Sequence, residues 1–166
     1  VLLEVGSARV TPAVARDPTS FLHAHLEGLG QLASFETNLP AAVRCVHPLV
    51  TLLEKLDALH RRAINSKSEP ATFVRHFEDA ARVIAAEKSL PSLTDYTDVR
   101  ALASEMLEQK QLAALPTASN PAFLPDDGDR WNAIRKAHAA IAPMFWGSRI
   151  SIEDACESIR DWVAKL

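Results

Sequence analysis

Cysteine is scarce in this sequence: among 166 residues there are two, Cys45 and Cys156, far apart and with no CxxC spacing. That excludes a disulfide scaffold or a structural zinc site and fits a reducing compartment, so the cytoplasm is the expected location. No apolar run approaches the roughly 20 residues that cross a bilayer, and no basic stretch leads into an apolar one near the start. The expectation is a soluble chain with no membrane partner. Positive charge is not in excess either: 18 Lys and Arg stand against 21 Asp and Glu, a net charge of −3, which excludes the global basic field behind non-specific nucleic-acid binding. Internal repeats and low-complexity segments are absent. What is present is 48% hydrophobic and 23% charged residues, enough for a sizeable core. Charge is uneven along the chain, at −1 over residues 1–46, +1 over 47–88, −5 over 89–129 and +2 over 130–166.

Val1 to Val5, closed by Gly6, reads as a short strand. It begins at Val rather than Met, and a strand with nothing before it needs partners from elsewhere; the expectation is a fragment whose N-terminal part carried neighbouring strands. Pro12 and Pro18 make the next stretch a poor continuation. From Thr19 or Ser20, both good N-caps, Phe21, Leu22, His25, Leu26, Leu29 and Leu32 recur at helical spacing, and Gly28 and Gly30 weaken that helix toward its end. Pro40 to Val46 reads as a second short strand able to pair with the first. The clearest helix starts at Pro48, a favoured first position, with Leu49, Leu52, Leu53, Leu56, Leu59 and Ala63 on one face. Another starts around Pro70 with Phe73, Phe77, Ala80 and Ile84 buried, and a third runs from Tyr96 to Gln111 with Val99, Leu102, Met106 and Leu107 inward. Residues 113–128, with Pro116, Pro121, Pro125 and Gly128, read as a long loop. Trp131, Ile134, His138 and Ile141 mark a fourth helix ended or kinked at Pro143. Ser151 followed by Asp154 starts the last, which buries Ile152, Ala155, Cys156, Ile159, Trp162 or Val163, and Leu166. The fold class expected is α+β and mostly α, a helical bundle with a short N-terminal two-stranded β element, divided into residues 1–46 and 47–166.

The chemistry-bearing residues concentrate on two consecutive helices. Lys55 and Arg62 lie beside the apolar stripe of the first; Arg75, His76, Asp79 and Arg82 lie along the second. If the two pack through their Leu and Phe faces, these groups share one rim. A lysine there can hold a triphosphate, and a carboxylate among arginines stays ionised and can bind a metal or orient a cation, with Arg75 and Arg82 within helical reach of Asp79. The same spacing also describes a solvated helix surface with ordinary ion pairs.

The run Pro48-Leu49-Val50-Thr51-Leu52-Leu53-Glu54-Lys55-Leu56-Asp57-Ala58-Leu59-His60-Arg61-Arg62, followed by Arg75-His76-Phe77-Glu78-Asp79, resembles the paired helical motifs of the AbiEii/AbiGii toxin nucleotidyltransferases, a proline-led "EKL-x-AL" helix and then an "RH-x-x-D" helix. Leu3-Glu4-Val5-Gly6 is similar to the strand that precedes those motifs in the family, and Trp131 to Pro143 with Ile152-Glu153-Asp154 resembles its C-terminal end. The resemblance implies the C-terminal portion of a nucleotidyltransferase-like fold from a toxin-antitoxin or abortive-infection system, a transferase moving nucleotides from a nucleoside triphosphate to an RNA acceptor with Mg²⁺, and a cognate antitoxin as partner. By motif position Lys55 contacts the triphosphate, Asp79 supports the metal or the lysine, and Arg75 is a secondary phosphate contact, with Arg62 nearby. His76 stands where some members have Asp; it is either a substituted site residue or a helix-edge histidine.

Such enzymes also need a Gly-Ser turn and an Asp-x-Asp pair that holds two metal ions, and the pair does not occur here in the right context. Gly6-Ser7 followed by Asp17 mimics the spacing, but residue 19 is Thr. Asp126, Asp127 and Asp129 read as a turn and helix N-cap cluster without EF-hand spacing. This chain alone is therefore expected to be inactive, and the alternative is a non-enzymatic helical protein-interaction module. Cys45 and His47 could suggest a nucleophile and base but read as a buried thiol beside a helix start; His23 and His25 point apart; His138 reads as a satisfied core histidine. The tryptophans read as packing aromatics, with Met144-Phe145-Trp146 alternatively an exposed knob for a partner.

Overall fold

The computed structural model describes residues 9–31, 42–145 and 147–166. The chain divides into two units, residues 1–47 and 48–166. In the first, β1 (Ala13–Arg16) pairs antiparallel with β2 (Val43–Val46), Ala13 opposite Val46 and Arg16 opposite Val43. The His47 N–H extends the ladder by donating to the Pro12 carbonyl at 2.8 Å. The expected partner of β2 was Val1 to Val5, which lies outside the described residues; the strand that pairs is the segment between Pro12 and Pro18. Proline is excluded from ladder positions because it has no N–H to give, and here both prolines bracket the strand and neither enters it. Helix α1 (Phe21–Gly28) begins where Ser20 accepts the His23 N–H, as its capping residue type requires. Cys45 is half-buried.

The second unit carries the core. Pro48 opens α2 (Pro48–Arg62), and its leucine stripe, from Leu49 to Leu59, is buried. A 3-10 turn at Pro70–Thr72 precedes α3 (Arg75–Ala85), so the proline expected to start that helix makes a separate turn first. Phe73, Phe77 and Ala80 have no exposed surface, and α3 packs against both α2 and α6 (Ile152–Val163). Between them in sequence come α4 (Val99–Glu108), capped by Asp98 through the Ala101 N–H, and α5 (Asp129–Ala140). Phe77 meets Trp131 with ring centres 5.8 Å apart and planes inclined at 51°, a favourable tilted geometry. Ser151 caps α6 by accepting the Asp154 N–H at 3.0 Å, and Ile152, Ala155, Cys156, Ile159, Trp162 and Val163 are all buried. Among the described residues the architecture is thus mostly helical, six α-helices with one two-stranded sheet.

The segment read as a loop is tied down at three places. Asp57, buried within α2, accepts the Ala113 N–H at 2.7 Å while also holding Arg61. Asn120 caps a 3-10 turn at Pro121–Phe123 through its Oδ1 and donates from Nδ2 to His60 Nδ1 at 2.7 Å. His60 therefore carries its proton on Nε2 when neutral. Phe123, which that turn delivers, is fully buried, and Arg160 donates to its carbonyl at 2.6 Å. Downstream, Asp126 accepts the Gly128 N–H at 2.7 Å; the acidic cluster makes a turn, but the N-cap of α5 is Gly128 and no carboxylate caps it. Arg130 then reaches back to the end of α2, donating to the carbonyls of Ala63 at 2.7 Å and Arg62 at 2.9 Å, groups that a helix terminus leaves unpaired. Truncating the fully buried Phe77 to Ala, which removes its contact with Trp131 of α5, is expected to cost about 3–5 kcal/mol, measured as a lowered urea midpoint with an unchanged slope.

Candidate functional site

Successive residues on an α-helix point about 100° apart, and α3 uses three in a row for three tasks. Phe77 enters the core, Glu78 faces the segment leading into α6, and Asp79 faces α2. There Asp79 accepts from Lys55 Nζ at 2.8 Å, both side chains retaining partial exposure at 32% and 22%. His76 lies one turn before, its Nδ1 3.9 Å from the same Asp79 oxygen. At that distance the contact is electrostatic and not a hydrogen bond, and Nδ1 is buried without a hydrogen-bond partner. Burial of the Asp79 carboxyl would raise its pKa; His76 and the Lys55 ammonium outweigh that and bring it down to about 2.

The pair stands at the wall of an open cleft of about 480 Å³. Lys55, Asp79 and Arg75 line it with Ala71 and Thr72, and Ile141, Met144 and Phe145 add an apolar part. Lys55 has three donors and gives one to Asp79. Arg75 is exposed, and no ion pair among the described residues engages it. With two cations against one carboxylate, the cleft favours an anion. Of the residues expected to share the rim, the structure brings together Lys55, Arg75 and Asp79, with His76 beside Asp79 but not on the cleft wall. Arg62 is seven residues beyond Lys55, about 10 Å along the helix axis, and is not part of the cleft lining. Arg82 was expected within reach of Asp79. It instead donates from Nη2 to Glu78 Oε1 and to the Ser148 carbonyl, each at 2.6 Å.

Glu78 is the residue that sequence reasoning missed. It is fully buried, with Arg149 Nε on its Oε2 at 2.6 Å, Arg82 on its Oε1, and the Ile150 N–H 3.4 Å away. Burial acts to raise its pKa, and the hydrogen bonds from Arg149 and Arg82 prevail, leaving it lowered. Arg149 also donates from Nη2 to His138 Nε2 at 2.8 Å. An arginine has no acceptor, so His138 is neutral at that nitrogen and keeps its proton on Nδ1; burial and the Arg149 charge hold its pKa below the ordinary value. Finally the Arg149 guanidinium carbon lies 4.2 Å from the centre of the Phe145 ring, within cation–π range. The i, i+4 spacing of Glu78 and Arg82 was a visible signal, but Arg149 is 71 residues away in sequence and nothing local announces it.

Other candidates fall away. Burial pushes the Cys156 thiol up to about 12, which leaves no thiolate for nucleophilic chemistry at neutral pH. Among the described residues no group of three or more His, Cys, Asp and Glu side chains is placed to hold a metal ion, and Asp79 already gives its Oδ2 to Lys55; the donor set does not fit Mg²⁺. No helix among them is long and apolar enough to cross a membrane. Comparison of the chain with protein-family models, with curated proteins and with solved structures finds no match.

Arg149→Ala is expected to lose about 3–5 kcal/mol of stability because it takes one of two arginines from a buried carboxylate. The double variant with Glu78→Ala should lose distinctly less than the sum of the single losses in the same chemical-denaturation series. For Asp79 the folded pKa lies below the ordinary 3.8, so its contribution is complete above that value and is lost as the pH falls toward 2. In a carboxyl NMR titration, Lys55→Met should move the Asp79 midpoint upward.

Proposed function

We propose that residues 48–166 hold the polyphosphate of a nucleoside triphosphate and form the rear half of a nucleotidyltransferase site of the AbiEii/AbiGii kind, which passes a nucleotide to an RNA acceptor and is restrained by a cognate antitoxin. The observation that carries this reading is the Lys55–Asp79 ion pair at the wall of an open cleft that also takes in Arg75. The two motifs that resemble the family supply Lys55 and Asp79 from different helices, 24 residues apart, and they converge on a single contact. In this role Lys55 grips the phosphates as a point charge, Arg75 adds a planar fork of donors, and Asp79 positions the Lys55 ammonium.

Transfer needs metal-holding carboxylates as well. The described residues do not fit Mg²⁺, so on this reading the Gly-Ser turn and the Asp-x-Asp pair belong to another segment, and the 166 residues bind without turning over. His76, beside Asp79 and off the cleft wall, does not touch the nucleotide.

Calorimetric titration of the full 166-residue chain with a nucleoside triphosphate is the test. Wild-type binding is expected, and Lys55→Ala should weaken it about tenfold or more, the loss of a charge-assisted contact of about 1.5–3 kcal/mol. Arg75→Ala should weaken it less, and Arg62→Ala should change little. An affinity that Lys55→Ala leaves intact would remove the basis of the assignment.

A further inference from the structure

The cleft has two chemical halves, and the phosphate-binding reading uses only one. Opposite in character to Lys55 and Arg75, the part formed by Ile141, Met144 and Phe145 sits in the connection between α5 and α6. Phe145 is half-buried and not sunk in the core, and among the described residues its ring is the only aromatic one that lines the cleft. It is also fixed. The Arg149 guanidinium lies on it at 4.2 Å, and that guanidinium is in turn held by the fully buried Glu78 carboxylate at 2.6 Å and by His138 at 2.8 Å. Arg82 pins the same connection again through the Ser148 carbonyl at 2.6 Å. A loop aromatic held through two ion pairs to a helix has little freedom left to lose when a ligand arrives, which lowers the cost of ordering it on binding. Glu78 and Asp79 are adjacent, so the residue that organises the aromatic side and the residue that organises the cationic side are set by one turn of α3.

From this we infer that Phe145 is the platform on which the base of the bound nucleoside triphosphate stacks, with Arg149 as its positioning residue. The ligand class fits both halves: an anionic chain for Lys55 and Arg75, and a flat π-surface for a ring already polarised by a cation. Stacking recognises the π-face that every base possesses, so the site tolerates purines and pyrimidines, with purines bound more tightly for their larger face. The inference rests on the triphosphate reading of the same cleft, and its test separates the two.

Inorganic tripolyphosphate and ATP are titrated against the wild-type chain, Lys55→Ala, Phe145→Leu and Phe145→Trp, each variant first checked for an unchanged helical spectrum and melting temperature. Leu preserves apolar bulk without a π-face, and Trp enlarges the face. The quantity read is the ratio of ATP to tripolyphosphate affinity. It is expected to exceed one in the wild type, to fall about tenfold in Phe145→Leu, to be kept or raised in Phe145→Trp, and to be preserved in Lys55→Ala while both affinities drop. If both ligands bind through Lys55 but the ratio is unmoved by Phe145→Leu, the platform is refuted and the triphosphate reading stands. If neither ligand binds the wild type, both are overturned.

Discussion

A carboxylate with no exposed surface has to be neutralised from within, and the helical unit is arranged around meeting that demand at Glu78. Two arginines, one from the next turn of α3 and one from the approach to α6, supply the compensation. Stripped of either, the buried charge would cost more than the pair contributes. The consequence is geometric as much as energetic: between the 3-10 turn at Ala142–Met144 and α6, Ser148, Arg149 and Ile150 are drawn onto α3 at fixed points. They cannot wander without exposing an unpaired charge.

Because the constraint sits one residue before Asp79, it also governs the cleft. The rotation of α3 that satisfies Glu78 is the rotation that presents Asp79 to Lys55 on α2, and the core contact of Phe77 with Trp131 locks the same rotation from the third side. Electrostatics and packing therefore agree on one orientation of the helix. That agreement is why two half-exposed groups, which on an ordinary surface would share a weak and mobile ion pair, meet here at a single short distance.

Much of the helical unit was legible beforehand, and the reasons are local. Pro48 at the first helical position, the leucine stripe of α2, and the Ser151 cap with its following apolar set each express themselves within one or two turns of sequence. The segment around β1 was not, because prolines on either side suppress the strand signal although neither lies within the strand. Phe123 was hidden inside a proline-rich stretch whose order comes from Asp57 and Asn120, residues that bond across 56 and 60 positions. Of the site, the residue types and their two helices could be read, but the partner of Asp79 could not be chosen among Lys55, Arg75 and Arg82 from spacing. Arg82 was claimed by the more deeply buried neighbour. Arg62 shares a helical wheel sector with Lys55, yet a wheel is blind to the two turns of length between them.

The three consecutive side chains of α3 carry an implication for how such a sequence can change over time. Replacing any one of them disturbs the contacts of that side chain alone, whereas inserting or deleting a single residue within α3 upstream of Phe77 would turn all three by about 100°, aiming the carboxylates at the wrong neighbours and the phenyl ring at solvent. Length variation is thereby barred from this helix and diverted to the polar stretch between Ala63 and Pro70, whose residues 64–67 are exposed. Divergent descendants of this fold would be recognised by an unchanging reading frame of α3 even after most of its letters had been exchanged.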